Sequence, residues 1–340
     1  MNASLPNIGE QRIAELLRDL GVSKDFRISE AFVSEVLGLI TDEPHPLDLK
    51  IASAAVTEMR DAFAMFAPYR GIPKVSIFGS ARTKPDDPLY AQTRRVARQL
   101  ADAGWMVVTG AGPGIMEAGM EGAGVERSIG VSIRLPFEAG ANSIIADDNK
   151  HVSMKYFFTR KLMLVKESAA FICLPGGFGT LDETFELLTL TQTGKGIPVP
   201  IVFLDTPGDM YWEGVHDFVQ QHLVRRGLVS GTDTALYRIT DSSDDAVQEI
   251  TRFYANYHSV RSVGNDLIIR LRQAPTDEQL SELNNRFAHL VKSGDIHRTE
   301  PYSIERRHED HLELDRIALE FDRHGYAELR AMIDVLNTYV

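Results

Sequence analysis

Pro175-Gly176-Gly177-Phe178-Gly179-Thr180-Leu181-Asp182-Glu183 is the stretch on which the reading of this chain turns. Before it, Phe171-Ile172-Cys173-Leu174 is a short apolar run that Pro175 ends; after it, Leu181, Phe185 and Leu188 share one face of a periodic helix that starts at Thr180. Glycine at 176, 177 and 179 lets a ligand approach the main chain closely, and the free N–H groups and dipole of a helix start favour a phosphate. The same residues also spell a capping box, with Thr180 as the cap and Glu183 reaching back to its N–H. On these residues alone both readings stand, and the rest of the chain has to separate them.

A chain of 340 residues allows about two domains, and 44% hydrophobic with 25% charged residues describes a soluble globular protein with a sizeable core. The net charge of −12 argues against nucleic acid or an anionic membrane as the main partner, so an anionic ligand needs a local site. One cysteine excludes an intrachain disulfide framework and a cysteine-rich zinc site, and Cys173, inside an apolar strand, reads as a core residue. Met1-Asn2-Ala3-Ser4-Leu5-Pro6 has no basic and apolar leader pattern, and no run is long and apolar enough to span a bilayer. A cytoplasmic location is expected.

Residues 1–70 read as helices only, Glu10 to Leu20, Ser29 to Ile40 and Leu47 to Phe66, an N-terminal extension without visible chemistry. Over 71–257 strands and helices alternate. Strands are expected at Val75–Phe78, Met106–Val108, Ser128–Ile133, Phe171–Leu174, Pro198–Asp205 and Ala235–Ile239. Helices are expected from Pro88 to Ala103, Ser153 to Glu167, Thr180 onward, Tyr211 to His222 and Ser243 to Tyr257, with a polar loop from Leu135-Pro136-Phe137-Glu138 to Asn149. This alternation predicts an α/β fold, a doubly wound, Rossmann-like parallel sheet whose ligands bind at the carboxyl ends of the strands. Gly79-Ser80, Gly110–Gly114 and Pro175–Thr180 all fall at such ends, so the glycine turns converge on one edge. The dinucleotide fingerprint is absent, because Ile115 stands where G-x-G-x-x-G needs its third glycine. Residues 258–340 read as a small α+β module for regulation or assembly: a strand at Leu267–Leu271, a helix from Thr276 to Val291, strands around Ile296 and Ile317–Leu319, and a helix from Tyr326 to Leu336. His308-Glu309-Asp310-His311 is not H-E-x-x-H, since its histidines are three apart rather than four; the run Glu305–Asp315 reads as a solvated charged face.

One cation stands out. The helical neighbours of Arg160 are Tyr156, Phe157, Met163 and Leu164, so its guanidinium projects from an apolar and aromatic surface, where it needs an anionic partner or a route to water. Lys161 and Lys166 read as solvated.

Gly110-Ala111-Gly112-Pro113-Gly114-Ile115-Met116, then Phe158-Thr159-Arg160-Lys161, then Pro175 to Glu183 resemble, in order and spacing, the LOG ("Lonely Guy") family, the cytokinin riboside 5′-monophosphate phosphoribohydrolases that older labels call lysine decarboxylase-like. The resemblance covers about 75–205 and rests on P-G-G-x-G-T-x-x-E with the upstream Arg-Lys pair. It implies hydrolysis of a nucleoside 5′-monophosphate to free base and ribose 5-phosphate, with no cofactor or metal, by a homodimer or higher homo-oligomer with its site near the interface. At the matched positions, Glu183 becomes the catalytic carboxylate beside an oxocarbenium-like ribose, and Arg160 the group that holds ribose or phosphate and keeps Glu183 ionised. Gly176, Gly177, Gly179 and Thr180 would cradle the phosphate; Ser80, Gly112, Gly114 and Met116 would face the nucleotide; Lys161 joins the binding set as the second half of the matched pair.

The rival reading is a nucleotide sensor or cofactor carrier on the same fold, which accounts for the glycine turns and has no use for Arg160 and Glu183 together. A pyridoxal-phosphate decarboxylase needs a placed Schiff-base lysine and a partner for the pyridinium nitrogen, and the sequence shows no such pair.

Overall fold

Val75, Ile77, Val107, Ile172, Val202 and Leu204 come from neighbouring strands and meet in one buried cluster, with Val75 and Ile77, and Val202 and Leu204, two residues apart on their strands. The computed structural model describes residues 7–135, 140–322 and 325–340. Met1–Pro6 and Pro136-Phe137-Glu138, read above as a leaderless start and a loop entry, lie outside the described residues.

By packing, the chain divides into Met1–Asp61 and Ala62–Val340. In the first unit α1 (Asn7–Asp19) packs on α2 (Phe26–Thr41), with the Arg18 guanidinium 5.5 Å from the centre of the Phe26 ring. The next helix, α3 (Pro46–Phe66), begins in this unit.

The second unit contains β1 (Lys74–Phe78), α4 (Pro88–Asp102), β2 (Met106–Thr109), α5 (Ile115–Ala123), β3 (Ser128–Ile133), β4 (His151–Met154) and α6 (Phe157–Lys166). It continues through β5 (Ala170–Cys173), α7 (Phe178–Gln192), β6 (Ile201–Leu204), α8 (Tyr211–Phe218), β7 (Arg238–Thr240) and α9 (Ser243–Phe253). The strands form one seven-stranded sheet in the order β4-β3-β2-β1-β5-β6-β7. Every pairing is parallel. Val75 and Ile77 face α4, α5 and α9, through Leu100, Ile115 and Ile250 among others. The intervening residues face the other layer: the Ser76 hydroxyl donates to the Leu164 carbonyl of α6 at 3.0 Å, and Phe203 stacks on Trp212 of α8 with ring centres 4.2 Å apart. The sheet is thus doubly wound and Rossmann-like. Among the described residues no helix is long and apolar enough to cross a membrane.

Several elements differ from the sequence reading. The expected helix from Ser153 starts at Phe157, because 151–154 is the edge strand β4; its half-exposed His-Val-Ser-Met pattern offers no apolar run to recognise. The strand expected from Pro198 begins at Ile201, since Pro198 and Pro200 have no N–H to give to a ladder. The expected Ala235–Ile239 strand is a 3₁₀ turn to Leu236 followed by β7, and the helix at 211 ends its α-helical part at Phe218 and continues as a π turn over Val219–Val224.

The C-terminal segment is an antiparallel module: β8 (Tyr257–Val263), β9 (Asp266–Leu271), α10 (Asp277–Phe287), β10 (Val291–Arg298), α11 (Ser303–His308), β11 (Asp315–Phe321) and α12 (Tyr326–Leu336), with sheet order β10-β11-β9-β8. Its core joins Ile269, Leu271, Ile317 and Leu319 to Leu283, Phe287, Met332 and Ile333. The expected Ser243–Tyr257 helix stops at Phe253, and Tyr257 opens β8 instead. The hairpin from β8 to β9, not anticipated from sequence, turns at Gly264, φ +63°, and Asn265. The run Glu305–Asp315 is mostly solvated, as expected, with one exception: Glu305 is 0% exposed and accepts from Arg270 Nη2 at 2.7 Å and Nε at 3.0 Å.

Candidate active site

In the order β4-β3-β2-β1-β5-β6-β7 the connections leaving β1 and β5 run in opposite directions, so a crevice opens between the carboxyl ends of these neighbours. The three glycine turns close around it. The Ile115 N–H donates to the Ser80 carbonyl at 3.0 Å, which ties the second turn to the first. Gly114 makes this approach at φ +69°, and a Cβ there would fall 2.5 Å from Ser80 O. The third turn meets the first in the same way, because a Cβ on Gly176 would lie 2.1 Å from Thr180 Oγ1 and 3.1 Å from Ser80 N. A cleft of about 900 Å³ results.

Ser80, Met116, Arg160, Gly176, Gly177, Gly179, Thr180 and Glu183, chosen from sequence, all line this cleft. Gly112 and Gly114 stand behind its wall, packed on Met116 and on the 80–81 backbone. Lys161 turns away: its ammonium bonds Asp182 Oδ2 at 2.8 Å and Glu186 Oε2 at 2.6 Å. Burial works against that charge, but Asp182 and Glu186 outweigh it and hold the lysine above its ordinary value. It is therefore a half-buried ion-pair partner of α7 rather than a solvated cation.

The capping question is resolved by helix geometry. The N-cap of α7 is Gly177, with no side-chain capping bond, and Thr180 lies inside the first turn. The helix starts earlier than Thr180 because Gly177 takes the extended cap conformation and its carbonyl accepts from Leu181 N at 3.1 Å. Glu183 is then free of any capping role and sits one turn into the helix, 7% exposed, on the cleft wall. Among the described residues its Oε2 has no hydrogen-bond partner. Burial pushes this carboxyl up to about 7, against the pull of Lys161 and Arg160. The expected pull of Arg160 toward the ionised form is present, but desolvation of the carboxylate is the larger effect.

Arg160 reaches the cleft from α6. Its Nε donates to the Val131 carbonyl at 3.0 Å, and Nη2 lies against Gly110. Sequence reasoning missed Tyr211, which stands at the start of α8, lines the cleft and donates to the Gly176 carbonyl at 2.8 Å. No local motif marks it; only the fold brings β6 and its following helix beside the turn. Phe178, at 93% exposed, and Phe157, at 53%, stand at the same cleft. Among the described residues no group of three or more His, Cys, Asp or Glu side chains is placed to hold a metal ion.

Residues 110–250 match the family model described as "Possible lysine decarboxylase". The chain is 29% identical over 119 residues to a cytokinin riboside 5′-monophosphate phosphoribohydrolase of Arabidopsis thaliana, covering 35% of this chain and 54% of that protein. It is 33% identical over 102 residues to the protein of that name from Mycobacterium marinum, covering 30% of this chain and 52% of that one. It thus spans about half the length of these curated relatives. Among solved structures, the molybdenum cofactor binding protein of Rippkaea orientalis aligns at 19% identity and a TM-score of 0.38, over 53% of this chain and 96% of that chain.

Proposed function

We propose, from the similarity of this chain to cytokinin riboside 5′-monophosphate phosphoribohydrolases of the LOG family, that its cleft hydrolyses the N-glycosidic bond of a nucleoside 5′-monophosphate. The observation that carries the proposal is Glu183, a buried carboxyl with an unpartnered oxygen inside a glycine-lined anion cleft. A site that only bound a nucleotide would gain nothing from a carboxylate near a phosphate, since the two repel and the burial is costly. A site that builds positive charge on ribose gains a great deal.

In this reading the 5′-phosphate rests on the turn Gly176 to Gly179 and the Thr180 hydroxyl, at the start of α7 where main-chain N–H groups lack helical acceptors. Arg160 holds ribose or phosphate. As the bond from C1′ to the base breaks, its electron pair leaves with the base and C1′ becomes oxocarbenium-like; Glu183, ionised, faces that charge and orients the attacking water, whose oxygen bonds to C1′. The water's proton passes to the carboxylate and from there to solvent, while the departing base takes up one proton from solvent, so one water is consumed and the proton count closes. A carboxyl held near 7 suits this exchange at neutral pH. The exposed Phe157 and Phe178 support a second copy of the chain lying close to the cleft.

The test is a panel of nucleoside 5′-monophosphates incubated with the protein, with base release followed by chromatography. Base release that disappears in Glu183→Gln and falls in Arg160→Ala is the expected result. Nucleotide binding without release from any member of the panel would turn the reading into that of a sensor or carrier.

A further inference from the structure

Tyr211 holds a carbonyl of the third glycine turn. Its hydroxyl donates to Gly176 O at 2.8 Å. A trans peptide is planar, so fixing the Gly176 carbonyl also fixes the Gly177 N–H, which points the opposite way. Gly177 and Gly179 line the cleft, and a Cβ on either would meet nothing within 4 Å, so the turn is uncrowded there. A hydroxyl on the carbonyl therefore fixes the peptide as a unit, holding the carbonyl, which would repel an anion, and with it the opposed N–H of Gly177.

The tyrosine is itself firmly placed. Its N–H donates to Asp209 Oδ1 at 3.1 Å, and the next N–H, of Trp212, donates to Asp205 Oδ2 at 3.0 Å. Trp212, fully buried, meets the Tyr211 ring edge-on with centres 5.0 Å apart. Asp205, at the carboxyl end of β6, lies beside the Glu213 carboxyl, and such a pair needs a shared proton to bond. Burial pushes Asp205 up to about 7, the Trp212 N–H opposes this, and Glu213 adds to it. Burial also holds the Tyr211 hydroxyl above its ordinary value, so it stays a donor throughout the neutral range.

We propose that Tyr211 is a positioning residue for phosphate, its hydroxyl setting the Gly176–Gly177 peptide so that the N–H of Gly177 faces the phosphate of a bound ligand. The proposal rests on the reading that this turn holds the 5′-phosphate of the substrate. It predicts that Tyr211 acts on the phosphate and leaves the rest of the ligand alone.

The experiment measures binding of ribose 5-phosphate and of ribose by calorimetry in wild type and Tyr211→Phe, together with kinetics on the best nucleoside 5′-monophosphate. Loss of one neutral hydrogen bond should weaken ribose 5-phosphate by about 2- to 10-fold. KM should rise by a similar factor, ribose should bind as before, and kcat should change by less than about twofold, the mark of uniform binding. Circular dichroism and the melting midpoint report folding, and Tyr211→Ala, which also removes the ring, separates packing from the hydroxyl. Tyr211→Phe binding ribose 5-phosphate as tightly as wild type overturns the proposal, as does equal weakening of ribose and ribose 5-phosphate, or a wild-type protein that does not bind ribose 5-phosphate. Base release that persists unchanged in Tyr211→Phe sinks the positioning role and leaves the hydrolase reading standing. Tyrosine-dependent phosphate binding with no base release does the reverse.

Discussion

A Cβ built on Gly110 falls 2.0 Å from Nη2 of Arg160 and 3.2 Å from its Cζ, so the guanidinium occupies the space that a side chain at 110 would need. The obstacle is the end of a flexible side chain, with Met116 Sδ at 2.7 Å, rather than backbone. Gly110→Ala should therefore fold and displace Arg160. Misplacing a substrate-holding group by about an ångström costs on the order of 10²-fold in rate. We expect that loss in kcat/KM for Gly110→Ala, little further loss when Arg160→Ala is added, and a melting midpoint within about 4 °C of wild type. Additive losses in the double variant would show that Gly110 acts some other way.

Glu183 links activity and stability to pH. Its folded carboxyl lies near 7, above the ordinary glutamate value, so between those two values the native state holds a proton that the unfolded chain has released. The contribution is fully favourable below the ordinary value and is lost as pH rises through about 7. Glu183→Gln should then gain on wild type as pH increases, by about 1–3 kcal/mol between pH 5 and pH 8, read from urea denaturation. In the same window wild-type kcat/KM should rise as the carboxylate forms, with a midpoint near 7. A stability difference that does not change with pH would place the carboxyl's titration elsewhere.

Much of this was legible because central parallel strands announce themselves. Val75–Phe78, Met106–Val108 and Phe171–Cys173 are buried on both faces and read as apolar runs ending in glycine turns. The edge strand β4 was missed because His151 and Ser153 make it polar on one side, and β8 because Tyr257-His258-Ser259 continues a helix pattern without a break. Arg160 and Glu183 could be chosen from a cation among apolar neighbours and a carboxylate after a glycine turn. Their energetic balance could not, since the depth of burial that outweighs the arginine appears only in three dimensions. Tyr211 is a long-range contact, separated by 35 positions from the carbonyl it holds.

The second glycine turn is strained and externally held. Ala111, fully buried, sits at φ +57°, a conformation that costs a non-glycine residue roughly 1 kcal/mol or more. Asn142 secures it: its N–H donates to Ala111 O at 2.8 Å, and Nδ2 donates to Gly112 O at 3.0 Å. Asn142→Ala should cost about 1–2 kcal/mol in stability and lower kcat/KM as well, because the turn carries Gly110 against Arg160. Ala111→Gly relaxes the need for the restraint. A double-mutant cycle between the two should show coupling on the order of 1 kcal/mol; strict additivity would mean that Asn142 does not restrain Ala111.

In the C-terminal module the decisive residue is Glu305. It is buried between Arg270, whose Nη2 bonds Oε1 at 2.7 Å, and Arg316, whose Nε lies 3.8 Å from the same oxygen, while Oε2 accepts the Tyr302 N–H at 3.0 Å. Asp310 also meets Arg270, at 2.6 Å, but it is partly exposed and cannot balance two arginines that are each less than 5% exposed. Removing one partner of a buried pair leaves charge without compensation, which costs about 3–5 kcal/mol. Glu305→Ala should therefore destabilise the module by that amount, seen by hydrogen exchange as lost protection across β9 and β11, the strands that carry the arginines. Replacing Glu305, Arg270 and Arg316 together by apolar residues of similar volume should recover most of the loss. If Glu305→Ala instead costs under about 1 kcal/mol, water reaches these guanidinium groups and the network behaves as a surface one.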